Sequence, residues 1–157
     1  PDVFRNPTDI RARSAVQLGA AWAGLAIENA MLGAAHGAAN PLTARYKVAH
    51  GQAVGLMLPH IIRFNGKVAQ AQYVELAAIA GLSTDVPDAS LADWIHTLLK
   101  MTGLYQSLGD VIGTHTETNE IERLAQEASM QWTSSFNPRP CSSADFIDLY
   151  QRASAKA

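Results

Sequence analysis

The sequence predicts a single all-α domain of seven or so helices over residues 1–157. Stretches rich in Ala and Leu alternate with Asn-Pro, Asn-Gly and isolated Gly signals that start or stop helices. No stretch shows the sustained period-2 alternation of a half-buried strand. The length of 157 residues is close to the commonest domain size, and neither an internal repeat nor a linker divides the chain.

The first long helix is expected from Ile10 to Ala35. Asn6 followed by Pro7 has the order of an N-cap and a first helical residue. Gly37 can end this helix. Because its apolar positions cover more than one face, we expect the helix to be central and buried.

Asn40-Pro41 repeats the start signal and predicts a short helical turn from Leu42 to Tyr46, with Asn40 as its N-cap. A third helix is expected from His50 to Phe64, with a kink or break at Pro59.

Four further helices are each delimited by a capping residue or a glycine stop. The first three are Val68–Ala80 before Gly81, a helix from Asp88 or Ser90 to Met101, and a helix from Asn119 to about Thr133. The last helix starts at Ser142 or Ser143, and its inward-facing residues are expected to be Phe146, Ile147, Leu149 and Tyr150.

Composition excludes several classes of protein. Hydrophobic residues make up 48% and charged residues 17%, with a net charge of −2, so disorder and a basic nucleic-acid interface are both disfavoured. A single cysteine, Cys141, permits no internal disulfide and fits a reducing compartment. No apolar run is long enough to span a membrane. We expect a cytoplasmic protein that binds neither nucleic acid nor membrane.

The histidines are the first candidates for chemistry. His36 and His50 flank a tight connection between helices, so their imidazoles could converge on one metal ion. Two ligands are fewer than a catalytic site needs, and two helix-terminal histidines bonded to backbone or water remain the alternative. The other three histidines are expected to be structural: His60, His96 and His115.

Other catalytic motifs are lacking. Cys141 has no histidine nearby in sequence and is expected to be a surface or half-buried thiol. Gly19, Gly24 and Gly33 lie in a predicted helix and follow no strand, so they do not form a phosphate-binding loop.

One segment resembles the signature of the iron-dependent (group III) alcohol dehydrogenases, within the dehydroquinate synthase-like superfamily. The matching residues include Asn29-Ala30-Met31-Leu32-Gly33-Ala34-Ala35-His36, Asn40-Pro41-Leu42, Tyr46, His50-Gly51, Leu58-Pro59-His60 and Phe64-Asn65, and later Asn137-Pro138-Arg139, Asp145, Leu149 and Tyr150.

The resemblance implies a two-domain enzyme. Family members have an N-terminal Rossmann-like domain for NAD or NADP and a C-terminal helical domain that carries Fe²⁺ or Zn²⁺. The chain resembles only the helical domain. Because it begins at Pro1 without an initiating methionine, we expect a processed protein or, given the resemblance, a fragment. The implied reaction is hydride transfer between a small alcohol or aldehyde and the nicotinamide, in a homodimer.

The resemblance also assigns site residues. The two later histidines of the family's metal set map onto His36 and His50, whereas its aspartate and first histidine would precede Pro1. Asn40 stands where many relatives have a histidine near the nicotinamide, and an amide cannot relay a proton near neutral pH. Ile27 and Thr133 are expected to border the substrate pocket, although both could be core residues.

Three alternatives stay open. Within the superfamily, the chain could come from a metal-independent reductase similar to maleylacetate reductase, or from a zinc-dependent polyol dehydrogenase. Outside it, a free-standing helical module that binds a partner is possible.

Overall fold

The computed structural model describes residues 1–113 and 118–154, and these contain nine α-helices, one 3-10 helix and no strand. The predicted all-α class is confirmed. The helices are α1 (Asp2–Arg5), α2 (Ile10–Ala30), α3 (Ala34–Tyr46), α4 (His50–Asn65), α5 (Gln70–Ile79), α6 (Pro87–Met101), α7 (Leu108–Ile112), α8 (Thr118–Ser129), the 3-10 helix Trp132–Phe136, and α9 (Ser143–Ser154).

The start and the end of α2 both differ from the prediction. Asp9, not Asn6, is the N-cap, since its carboxylate accepts hydrogen bonds from the Arg11 and Ala12 amides at 2.8 and 3.2 Å. The helix ends at Ala30 because Met31 adopts a φ of 63°. The expected helix through Ala35 is therefore wrong, and the chain restarts as α3.

The expected burial of the first long helix is also wrong. No residue of α2 is buried, and it packs mainly against the short α1. Its large apolar side chains are exposed, including Trp22 at 65% and Leu25 at 61%. The described residues leave most of this apolar surface uncovered.

Helix α3 runs without interruption through Asn40-Pro41, so the predicted helix start at Asn40 is wrong. Pro41 has no N–H to donate to the Gly37 carbonyl. In the same turn, the buried Tyr150 hydroxyl donates a 2.7 Å hydrogen bond to the Ala38 carbonyl. This bond ties α9 to the turn that the proline weakens.

Helix α4 has the predicted limits to within one residue and continues through Pro59. Helix α6 begins at Pro87 after Val86, rather than from a cap at Asp88 or Ser90. The helix expected to reach Thr133 ends at Ser129.

The start of α9 was predicted correctly. The Ser142 hydroxyl accepts from the Asp145 amide at 3.2 Å, and the Asp145 carboxylate accepts from the Ser142 amide at 2.9 Å. Helix α7 begins in the same way with Ser107 and Asp110, and this Ser-x-x-Asp signal could have predicted it.

The main core surrounds α3, which packs against α4, α8 and the 3-10 helix, while α9 packs against α4 and α8. The buried face of α3 consists mostly of alanine, which lets neighbouring helices approach closely. Larger side chains fill the core from the other helices: Met57, Leu108, Ile112, Leu124, Phe146, Leu149 and Tyr150. A smaller cluster lies between α4, α5 and α6: Ile62, Ala77, Leu91 and Ala92.

Among the residues described, no helix combines the length and the apolar character that crossing a membrane requires.

Candidate metal and substrate site

The fold brings the imidazoles of His36 and His50 together. His36 lies in the first turn of α3 and His50 is the first residue of α4. Between the two helices, Lys47 adopts a φ of 56° and reverses the chain. As a result, the ring centroids lie 5.3 Å apart, with the ring planes tilted by 48°.

The surroundings of His36 favour the form of imidazole that binds metals. Burial, and then the proximity of His50, lowers the pKa of His36, so this ring is neutral near pH 7. His50 is exposed, and its Nδ1 lies 3.4 Å from the Thr43 hydroxyl oxygen. A neutral imidazole offers the lone pair that a divalent metal needs.

Two histidines do not complete a site. Within residues 1–113 and 118–154, no group of three or more His, Cys, Asp or Glu side chains could hold a metal ion. Catalytic zinc sites use three protein ligands and one open position. The described residues can therefore supply two ligands of a larger set.

Asn40 lies one turn after His36 on α3. Its Nδ2 donates a 2.9 Å hydrogen bond to Oε1 of Gln131, just beyond α8. Sequence reasoning missed this contact because the two residues are 91 positions apart. The bond orients the Asn40 amide but gives it no proton-transfer capacity.

Ile27 and His36 line the same apolar cavity of about 300 Å³. Its walls also include Met31, Val54 and Leu58. Thr133 is not among the lining residues. It is buried in the 3-10 helix, and its hydroxyl has no hydrogen-bond partner in the described part of the chain.

A buried amide pair fixes the first turn of α3. Asn137 Oδ1 accepts hydrogen bonds from the Ala34 amide at 3.3 Å and from Asn65 Nδ2 at 3.1 Å. In return, Asn137 Nδ2 donates to Asn65 Oδ1 at 2.8 Å. Because Ala34 is two residues before His36, the pair holds the backbone that carries this imidazole.

Sequence reasoning assigned no role to this pair. Asn65 follows a helical stretch and Asn137 precedes a proline, so both have the local pattern of loop residues. Nothing in the pattern indicates that the two amides meet.

The remaining histidines do not join the first two. His60 and His96 line a separate cavity, and His115 lies outside the described residues. Cys141 is half-buried, as expected, and burial raises the pKa of its thiol to about 12, which makes it a poor nucleophile.

Comparison with known proteins gives consistent matches over almost the whole chain. The family model described as "Fe-containing alcohol dehydrogenase family, C-terminal" matches residues 1–154. Lactaldehyde reductase from Escherichia coli (strain K12) is 31% identical over a 150-residue alignment, and the match covers 92% of this chain and 38% of that protein. NADPH-dependent butanol dehydrogenase from Clostridium saccharobutylicum is 26% identical over a 148-residue alignment, and the match covers 91% of this chain and 38% of that protein.

Comparison with solved structures gives the same result. An alcohol dehydrogenase from Oenococcus oeni superimposes with a TM-score of 0.85 at 25% identity, covering 97% of this chain and 40% of the other. The chain thus spans about two fifths of the length of the proteins that it matches.

Proposed function

Because the chain belongs to the Fe-containing alcohol dehydrogenase family, as its C-terminal region, we propose that it is the helical metal domain of an NAD(P)-dependent alcohol dehydrogenase. The whole enzyme would transfer hydride between a small alcohol or aldehyde and a nicotinamide. The convergence of His36 and His50 beside an apolar cavity is the observation that carries this proposal.

We propose that residues 1–157 form a single domain and that a Rossmann-like cofactor domain lies elsewhere in the whole protein. The matched relatives are more than twice as long as this chain, which supports the idea. The exposed apolar side chains of α2 also support it, because they offer a surface for further protein to cover. A homodimer in the cytoplasm is part of the same proposal, and the single cysteine fits a reducing compartment.

The residues present fit a divalent metal, Fe²⁺ or Zn²⁺, as a partial ligand set. His36 and His50 offer two neighbouring imidazoles, and the remaining ligands would come from chain outside these residues. When bound, the ion would polarise the substrate oxygen and lower the pKa of a bound alcohol.

The other residues of the site position and shield the reacting groups. The Asn65–Asn137 pair holds the first turn of α3 and so fixes the orientation of His36. The apolar walls around Ile27 offer a surface for the apolar part of a bound alcohol. Asn40, oriented by Gln131, can hydrogen-bond a substrate or cofactor but cannot carry its proton.

A metal titration of the chain tests the ligand assignment. We expect weak, saturable binding of Zn²⁺ by calorimetry, with proton release that increases below neutral pH. His36→Ala and His50→Ala should each abolish the signal, whereas His96→Gln, which alters a histidine of the other cavity, should retain it. Equal binding by all three variants would contradict the assignment.

Activity measurements separate the enzyme classes. The 157-residue chain should show no turnover with alcohol and either nicotinamide cofactor, and turnover by the chain alone would refute the proposal. The whole enzyme should lose activity after chelation and regain it with Fe²⁺ or Zn²⁺. Activity that survives chelation would favour the metal-independent reductase.

A further inference from the structure

A second cavity, of about 290 Å³, lies between α4, α6 and α9, away from the His36 site. Its volume is at the lower end of those that hold small-molecule ligands, roughly 300–1,000 Å³. One side of it is basic and the other apolar. The residues concerned are His60, Arg63, His96 and Arg152 on the basic side and Leu56 and Leu99 on the apolar side.

The basic side carries a concentration of positive charge. Burial, and then the charges of Arg63, His96 and Arg152, lowers the pKa of His60 to about 4. The pKa of His96 is itself lowered by burial, so near neutral pH the positive charge beside His60 comes from Arg63 and Arg152, which both favour an anion there.

Arg152 has donors that its acidic partner leaves available, whereas both terminal nitrogens of Arg63 already have partners. Arg63 pairs with Asp93, whose side chain is 70% exposed, and its Nη1 donates a 3.4 Å hydrogen bond to the Pro59 carbonyl. Arg152 pairs with Asp148 through Nε at 2.9 Å, and its terminal amino groups have no partner in the described residues. A guanidinium with free terminal groups can bind a carboxylate with strong, charge-assisted hydrogen bonds.

His96 supplies an unused polar atom. Its Nε2 is buried and has no hydrogen-bond partner among the residues described. The ring stacks on Tyr105, with centroids 4.6 Å apart and planes 19° apart, so its orientation is fixed. A buried polar atom without a partner costs free energy, and a ligand recovers it only by displacing the groups that cover Nε2.

We propose that this cavity binds a small organic carboxylate, with the carboxylate between Arg63, Arg152 and His96 and the apolar part of the ligand against Leu56 and Leu99. The site is independent of the metal and substrate site, and its ligand does not enter the proposed reaction. The apolar wall favours an organic anion over inorganic phosphate.

Benzoate is a suitable probe, and benzyl alcohol, of similar shape but neutral, is its control. We expect benzoate to shift the imidazole NMR signals of His60 and His96 saturably and to raise the pKa of His60, because the bound carboxylate adds a negative charge beside it. The signals of His36 and His50 should not move. Benzyl alcohol should produce no saturable shift.

Two matched variants test the role of charge. Arg152→Gln should weaken benzoate binding by about tenfold or more, the effect of losing a charge-assisted hydrogen bond. Arg123→Gln is the control, since both side chains are about two-thirds exposed and both pair with an acid on their own helix, and it should leave binding unchanged.

Several results would overturn the proposal. The first is the absence of a saturable shift at benzoate concentrations up to about 50 mM, which is well above a millimolar Kd. The others are equal binding of benzyl alcohol and undiminished benzoate binding by Arg152→Gln.

Discussion

Gly37 is the position where the smallest change in α3 should have the clearest effect. A Cβ added there would overlap the Ser134 hydroxyl oxygen and would lie 3.3 Å from Ser134 Cβ and 3.4 Å from the Ala128 carbonyl oxygen. Ser134 cannot easily move aside, because it is buried and its hydroxyl donates a 2.9 Å hydrogen bond to that carbonyl. Gly37→Ala should therefore force α3 and the 3-10 helix apart.

The expected cost follows from three contributions. Overpacking costs about 1–3 kcal/mol, and loss of the Ser134 hydrogen bond costs about 1 kcal/mol. Alanine in place of glycine inside a helix stabilises the helix by up to about 1 kcal/mol. Gly37→Ala should thus destabilise the fold by about 2 kcal/mol.

A double-mutant cycle isolates the contact. Ser134→Ala removes the oxygen that the new Cβ would meet and should cost about 1 kcal/mol by itself. Gly37→Ala in the Ser134→Ala background should then be close to neutral, because the 3.3 and 3.4 Å contacts that remain offset the helix preference of alanine, and this gives a coupling energy of about 2 kcal/mol. Urea unfolding of the four proteins measures this energy. A coupling energy near zero, or an unchanged stability of Gly37→Ala, would refute the reasoning.

Three further predictions concern stability. Tyr150→Phe should cost about 1–2 kcal/mol in urea unfolding, because the buried Ala38 carbonyl loses its 2.7 Å hydrogen bond; unchanged stability would mean that this bond contributes nothing. Asn137→Ala should cost about 2–4 kcal/mol, since it leaves the buried Ala34 amide without its partner and removes both hydrogen bonds between Asn137 and Asn65, and a loss below that of Tyr150→Phe would contradict this role. The pKa of His60 is about 4 in the fold, against 6.5 ordinarily, so its neutral form contributes stability that is fully present above pH 6.5 and is lost as the pH falls towards 4. Relative to His60→Gln, the parent chain should lose about 2 kcal/mol of unfolding free energy over this range, a value that is reduced because solvent reaches part of the ring. Parallel pH profiles of the two proteins would contradict this expectation.

Local helix signals predicted the number of long helices better than the residues at which those helices begin and end. Two Asn-Pro pairs have the order of a helix start, but Asn6 ends α1 and Asn40 lies inside α3. A cap contributes only about 1 kcal/mol, whereas the buried face of α3 continues on both sides of Asn40. Tertiary packing therefore overrides the local preference.

The break between α2 and α3 had no recognisable signal. It depends on a positive φ at Met31, a conformation that sequence patterns assign to glycine or asparagine. The burial of the first long helix was mispredicted for a different reason: its apolar side chains lie on α2 itself, and the described residues leave them largely uncovered.

The proximity of His36 and His50 was predicted from a short connection at the end of the first long helix. The structure brings the rings together differently, because most of α3 lies between them and the chain reverses at Lys47. Their role as metal ligands stays a prediction. The hydrogen bond from Asn40 to Gln131 and the amide pair of Asn65 and Asn137 could not be predicted, since side chains that meet across helices leave no local pattern.

The amide pair also constrains how this sequence can diverge. Asn65 and Asn137 each use both ends of an amide, so neither can become Asp without placing two acceptors face to face. An apolar residue at either position would remove two hydrogen bonds from the other amide, and at position 137 it would also remove the partner of the Ala34 N–H. The two positions should therefore covary among descendants of this chain, although 72 residues separate them. Substitutions that reach one position should persist only when the other has already changed.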